Sequence, residues 1–304
     1  MKKTAALACL LLPVVLTTPA RAADVAVLKS VETPGWRPAI DALRRAAAAH
    51  TLTEYDLKGD PAEAQRVVGE LKGKPAIIVA LGPLAAQTMR SVAPEHALIY
   101  GMVQDPAQAG LAGVENATGV AFSIPVRNQL AAFRMVNPRG VRVGVIYGSD
   151  GLQKQVDEAT RASLVVRLII VPRRISNEKE VPEALRSLLK GGDAVDALWL
   201  PPDPLLLGDE TRRFLLSETL KARKPVYTFS PLIVAEGALV SNGPDYTSIG
   251  EQLAELVARA AGGAQGVRSE LLVPRGELVV NQKAADKLKL EIPATVLFVA
   301  NKVL

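Results

Sequence analysis

The chain has 304 residues, of which 49% are hydrophobic, 22% charged and 4% aromatic, and its formal net charge is +5. The length fits two α/β domains of ordinary size, and the apolar content supplies ample material for buried cores. The basic residues are spread along the chain, with no lysine or arginine block interleaved with aromatics, so we expect no nucleic-acid partner.

The first residues have the pattern of a cleavable secretion signal, predicted to span 1–22. Lys2 and Lys3 precede an apolar run that is too short to span a bilayer, which takes about 20 residues. Ala20-Arg21-Ala22 matches a cleavage site. Lipid attachment at Cys9 is the rival interpretation, but most of the apolar run follows this cysteine. Cleavage removes Cys9, the single cysteine, and lowers the net charge to +2. The mature chain then has no disulfide and no thiolate metal site.

Strands and helices alternate in the first half of the mature chain. The predicted strands are 24–31, 52–57, 76–81, 97–100 and 119–122. The predicted helices are 36–50, one that opens at Asp60-Pro61, 84–92 and 125–136. The continuously apolar run over 76–81 is typical of a strand covered by helices on both faces. Ser123 is placed to cap the helix over 125–136, with Pro125 in its first turn.

The second half repeats this alternation. The predicted strands are 142–147, 164–171, 197–200, 225–229, 238–241 and 277–280. The predicted helices are 149–162, 177–190, 209–222, a short one after Ser230-Pro231, 245–261 and 284–290. We therefore predict an α/β fold of two Rossmann-like lobes, with parallel sheets and right-handed crossovers, hinged around a central cleft.

Parallel sheets place their functional loops at the carboxyl ends of strands. Gly82, Pro83 and Leu84 follow a predicted strand and begin a helix, whose first N–H groups could bind a carboxylate or phosphate. A tight turn that needs only glycine and proline explains the same residues. Both interpretations stay open at this point.

Four acidic residues follow predicted strands, namely Asp105, Asp150, Asp203 and Asp245. Each can shape a turn or pair with a ligand ammonium group, and Asp245 best fits a plain helix cap. Because acidic residues outnumber basic ones in these loops, we predict a ligand with an amino group, such as an amino acid. Its carboxylate would take the helix end at Gly82.

Four of the scarce aromatic residues also fall in these loops, namely Trp36, Tyr147, Phe229 and Tyr246. Flat side chains at a cleft could hold an apolar or aromatic ligand between them, although packing in the cores explains them equally well. Trp199 lies inside a predicted strand, which favours a core position.

Catalysis finds little support in the sequence. His50 and His96 have no nucleophile or metal-binding residue at a useful spacing, and the usual hydrolase, metalloprotease and dinucleotide motifs are absent. We predict no enzymatic activity, no catalytic residue, no metal and no cofactor.

Several short segments, by their order and spacing, resemble the ABC-transporter substrate-binding proteins of the tryptophan/tyrosine-binding type. They are Ala80-Leu81-Gly82-Pro83-Leu84-Ala85-Ala86-Gln87, Val103-Gln104-Asp105-Pro106, Thr118-Gly119-Val120, Ser123 with Pro125, Gln129-Leu130, Val143-Gly144-Val145-Ile146-Tyr147, Pro202-Asp203, Glu236-Gly237-Ala238, Asp245-Tyr246 with Gly250, and Glu277-Leu278-Val279-Val280-Asn281 with Ala284-Ala285 and Leu288. This family usually has a hydroxyl residue at the position of Pro83 and often an asparagine at Gly148.

The resemblance covers nearly the whole mature chain and implies the type I periplasmic binding protein fold. It implies lobe one over 23–123 plus 244–275 and lobe two over 124–243 plus 276–304, with crossings near 122–124, 242–244 and 274–276. The predicted ligand-binding residues are Trp36, Gly82, Pro83, Leu84, Asp105, Tyr147, Ser149, Asp203, Phe229 and Tyr246.

By this resemblance the protein would be the periplasmic component of an ABC importer that captures a small-molecule ligand by hinge closure. Its partner would be an ABC permease in the inner membrane, and we expect a monomer. The alternative is a periplasmic sensor that docks on a membrane receptor or sensor kinase. A cytoplasmic repressor core is disfavoured by the export signal and by the lack of a leading DNA-binding helix pair.

Overall fold

The computed structural model describes residues 22–74, 77–91, 96–192, 194–262 and 270–304. Residues 1–21 of the predicted secretion signal lie outside the described residues. Within the described ranges, no helix has both the length and the apolar character that crossing a membrane requires.

The strands form two sheets. In chain order they are β1 Asp24–Lys29, β2 Thr51–Asp56, β3 Ile77–Leu81, β4 Leu98–Gly101, β5 Ala117–Val120, β6 Arg142–Tyr147, β7 Ile169–Arg174, β8 Ala197–Leu200, β9 Val226–Thr228, β10 Val240–Pro244, β11 Leu271–Leu272, β12 Gly276–Val280 and β13 Lys302–Val303. The first sheet has the order β11-β5-β4-β3-β1-β2, and the second has the order β13-β12-β10-β9-β8-β6-β7.

Helices cover both faces of each sheet. They are α1 Arg37–Ala46, α2 Pro61–Leu71, α3 Pro83–Met89, α4 Val126–Val136, α5 Asp150–Ser163, α6 Val181–Leu189, α7 Asp209–Lys221, α8 Pro231–Glu236, α9 Tyr246–Ala261, α10 Gln282–Leu288 and α11 Ala294–Val299. Short 3-10 turns precede α1 and α6. The predicted α/β fold class is therefore confirmed, with two sheets of mostly parallel strands.

The central strand β3 shows why the pattern gives this fold. Its five residues are all buried. Those on one face join the core beneath α2 and α3, while those on the other join the core beneath α1 and α9. Burying each large aliphatic side chain of such a strand stabilises the fold by about 1.5–3 kcal/mol. In the second sheet, Trp199 of β8 is 1% exposed, as the core interpretation predicts.

Along the described strands the chain changes sheets three times, between β5 and β6, between β10 and β11, and between β11 and β12. After β10, α9 returns to the first sheet and packs along α1. This packing is close, since a Cβ atom on Gly250 would lie 2.1 Å from the Ala39 carbonyl oxygen. The predicted limits of the two lobes stay predictions.

Three local predictions are wrong. Ser123 does not cap α4, because the helix begins at Val126 and its N-cap position is Pro125, which has no side-chain bond. The strand predicted over 164–171 begins later in the chain, as β7 over Ile169–Arg174. The residues directly after α5 form a turn instead, with Arg167 in the left-handed region (φ 56°). The last predicted strand pairs antiparallel with β10 rather than parallel.

Candidate functional site

The first group of predicted site residues surrounds Gly82, between β3 and α3. Gly82 has φ 88°, and a Cβ atom there would lie 2.7 Å from Ser30 Oγ and 2.9 Å from Trp36 Cη2. The Ser30 hydroxyl oxygen accepts a hydrogen bond of 3.0 Å from the Ala85 N–H. Glycine is therefore required here, because both the backbone conformation and the close approach of Trp36 exclude a side chain.

The amino end of α3 has few amides left for an anion. Pro83 has no N–H, and the Ala85 N–H is bonded to Ser30. The Leu84 N–H is the remaining donor of this turn without a partner among the described residues. The predicted carboxylate site at Gly82 stays a prediction, and it depends on the Leu84 amide.

The second group lies at the carboxyl ends of β6 and β8 and is organised by Asp203. This carboxylate is fully buried, with 0% exposure. One oxygen accepts from the N–H groups of Gly148 (2.7 Å) and Ser149 (3.2 Å), and the other accepts from the N–H of Leu205 (3.0 Å). Asp203 thus holds two loops of the second sheet together, which gives it a positioning role rather than an exposed contact surface.

Leu205 explains the glycine at position 148. A Cβ atom on Gly148 would lie 2.4 Å from Leu205 Cδ1. An apolar side chain therefore packs directly beside this loop. Next to it, the Tyr147 hydroxyl donates to Gln153 Oε1 at 2.8 Å, and the ring belongs to the core.

The other aromatic residues keep part of their surface exposed. Trp36 and Tyr246 pack against the core under α1 and α9, and Phe229 packs against a core of the second sheet. Tyr246 meets Phe122 edge to face, with ring centroids 6.1 Å apart, and burial raises the pKa of Tyr246. Each sheet thus contributes a half-buried aromatic near the end of its strands.

The four acidic residues predicted for the site differ in whether their carboxylate oxygens already have protein partners. Asp245 caps α9 by accepting from the Thr247 N–H at 2.9 Å, as expected of a plain cap. Asp150 pairs with Arg174 at the surface. Asp105 accepts one turn bond, 2.9 Å from the Gln108 N–H to Oδ1. Its second oxygen has no protein partner among the described residues, and its side chain is exposed.

Sequence reasoning missed Ser30, Leu205 and the ion pairs around Lys29. The Lys29 ammonium, at the end of β1, contacts Glu32 and lies 3.2 Å from Glu54, which in turn binds Arg44. Burial lowers the pKa of Lys29, but hydrogen bonds to the two glutamates outweigh it and the pKa is raised. The sequence signal that could have indicated this cluster is Lys29 itself, a charged residue directly after the apolar run 25–28.

The described part of the chain contains no group of three or more histidine, cysteine, aspartate or glutamate residues placed to hold a metal ion. His50 accepts a bond of 3.3 Å from the Ala23 N–H, at the opposite end of β1 from Lys29.

Residues 24–304 match the sequence profile of a family described as ABC transporter substrate binding protein. No curated protein matches the chain by sequence.

Solved structures share the fold. A ligand-free, open substrate binding protein with adhesive properties from Clostridium difficile is 19% identical, with a TM-score of 0.81 over 93% of this chain and 99% of that one. An ABC domain in complex with L-Trp from Streptococcus pneumonia is 22% identical, with a TM-score of 0.66 over 93% and 100%. A solute binding protein from Burkholderia graminis in complex with D-arabinose is 14% identical, with a TM-score of 0.55 over 87% and 97%.

Proposed function

Because the chain belongs to the ABC transporter substrate binding protein family, we propose that it is the exported solute-capturing component of an ABC importer. In this proposal a small molecule binds between the two sheets and is delivered to a permease in the inner membrane. Substrate-binding proteins of this family are usually extracytoplasmic, and the predicted secretion signal supports a periplasmic location.

The observation that supports the proposal best is the construction of the strand ends. In both sheets the loops are held by buried polar contacts, through Ser30 in the first and Asp203 in the second. The loops of each sheet also carry a half-buried aromatic residue, Trp36 in the first sheet and Phe229 in the second. Rigid loops with part-exposed flat side chains are suited to recognising a small molecule.

Hinge closure is the proposed mechanism. Among the described strands the chain passes between the sheets three times, and such a small number of connections leaves two lobes free to rotate. A ligand that contacts both lobes stabilises the closed form by the free energy of contacts that the open form lacks. No step in this cycle makes or breaks a covalent bond, in keeping with a non-enzymatic protein.

We propose a ligand that combines an amino group with an apolar or aromatic body. One carboxylate oxygen of Asp105 has no partner among the described residues and can accept from the ammonium group. Trp36, Phe229 and Leu205 offer apolar surface. The L-Trp complex of a structural neighbour agrees with this class, while the D-arabinose complex of another represents the competing sugar class.

Isothermal titration of the purified protein with amino acids, amine-free carboxylates and sugars tests this assignment. We expect heat only from amine-bearing ligands. Asp105→Asn should weaken binding at least tenfold, whereas the matched control Glu158→Gln, an exposed acid on α5, should leave it unchanged. Tight binding of amine-free anions or sugars alone would contradict the ligand class, and mass analysis showing turnover would contradict the non-enzymatic role.

A further inference from the structure

The C-terminal part of the second lobe carries an apolar surface that the proposed solute site does not use. Phe298 and Val299 of α11 are 89% and 52% exposed, and Val303 of β13 is 46% exposed. We call these three residues the C-terminal patch. Isolated exposed aliphatic residues are common, but a nearly fully exposed phenylalanine beside two exposed valines indicates an interaction surface.

A depression of about 500 Å³ lies between α10 and α11. Leu290, Ile292 and Leu297 line its apolar part, and Leu297 directly precedes Phe298 in the helix. The charged side chains around it have both signs, being Asp286, Lys289 and Glu291. The helix α11 therefore contributes both an exposed aromatic and one wall of a depression.

No strand in the described part of the chain pairs with the outer edge of β13. On its inner side, the Leu304 N–H donates to Val280 O at 2.8 Å, and the Gln282 N–H donates to Leu304 O at 3.0 Å. Successive residues of a strand direct their backbone groups to opposite sides, so the N–H and C=O of Val303 point away from β12. Among the described residues, β13 is the last strand of the sheet on this side. An open edge of this kind can pair with another strand.

We propose that the C-terminal patch is the interface of a homodimer, with a second copy of this chain as its occupant. In a twofold interface the same surface meets itself, so each feature must find its complement within the patch. Phe298 of each copy enters the depression of the other. Lys289 faces Glu291 or Asp286 across the axis, and the two Val303 residues exchange N–H···O bonds as an antiparallel pair.

The alternatives fit this surface less well. An anionic lipid surface would favour a basic rim, whereas the charges around the depression are mixed. None of the predicted ligand-binding residues belongs to the C-terminal patch or lines the depression. This dimer departs from the expected monomer.

Sedimentation velocity of the full chain over a rising concentration series tests the proposal. We expect a shift from monomer to twice the monomer mass. Phe298→Asp should abolish the shift, while Leu232→Asp, which changes a residue that is 76% exposed on α8, should dimerise like the wild type. Circular dichroism spectra of the two variants serve as the control for folding.

A second variant tests the geometry directly. In a Cys9→Ser background, Val303→Cys should form an inter-copy disulfide on oxidation, because paired residues of this kind place their Cα atoms about 5.5 Å apart. A wild-type protein that is monomeric at every concentration would overturn the proposal, as would a dimer that Phe298→Asp leaves intact. Flotation with phosphatidylglycerol vesicles that depends on Phe298, without a dimer, would assign the patch to lipid instead.

Discussion

Asp203→Asn is the substitution that most directly probes the second-sheet half of the proposed site. The carboxylate uses one oxygen for the Gly148 and Ser149 amides and the other for the Leu205 amide. Asparagine has one acceptor oxygen, and its NH2 group would face an amide that is itself a donor. One or two charge-assisted bonds at a fully buried position are lost, which predicts a destabilisation of about 2–4 kcal/mol. Asp203→Ala leaves all three amides without this partner and should cost more.

Urea unfolding followed by circular dichroism measures this change, with titration of the identified ligand as a second readout. Asp150→Asn is the matched control, because its pairing with Arg174 is at the surface and is worth about 0–1 kcal/mol. Ligand affinity should fall in Asp203→Asn, since both loops that Asp203 joins lose their support. A destabilisation of Asp203→Asn no larger than that of Asp150→Asn would refute the positioning role.

Three further substitutions have defined outcomes. Gly82→Ala forces a side chain into a positive-φ position against Trp36 and should cost about 1–3 kcal/mol in a urea titration. Gly250→Ala should lower the free energy of unfolding by at least about 1–3 kcal/mol, because its Cβ would meet the Ala39 carbonyl and push α1 away from α9. Thermal melting measures this loss. The pKa of Glu277 is raised by burial and by a neighbouring carboxylate, so its ionised form destabilises the fold. Glu277→Gln should therefore raise the urea midpoint at neutral pH, with the gain vanishing as the pH falls below the ordinary glutamate range. A gain that grows on acidification would contradict this sign.

The arrangement into sheets was readable from the sequence because strand burial leaves a local pattern. The predicted bounds of β6 and β8 agree with the structure, since short apolar runs there are buried on both faces. The same rule failed at Leu164 and Val165, which are apolar but 77% and 76% exposed in the turn after α5. Apolar character alone does not distinguish a buried strand from an exposed turn.

The site was less predictable, because its contacts join distant parts of the chain. The amides that Asp203 accepts from include those of Gly148 and Ser149, more than fifty residues away in the sequence. The dependence of Gly148 on Leu205 follows from packing between two loops and has no local pattern. A polar residue after a strand indicates a functional loop, but its partners decide whether it contacts a ligand or holds the loop in place.

A crystal structure of the protein with its bound solute tests the central claim most directly. We expect solute density that contacts residues from the carboxyl ends of both sheets, with Trp36 and Asp105 on one side and Phe229 and Leu205 on the other. Solute bound to one sheet only, or in the depression between α10 and α11, would contradict it.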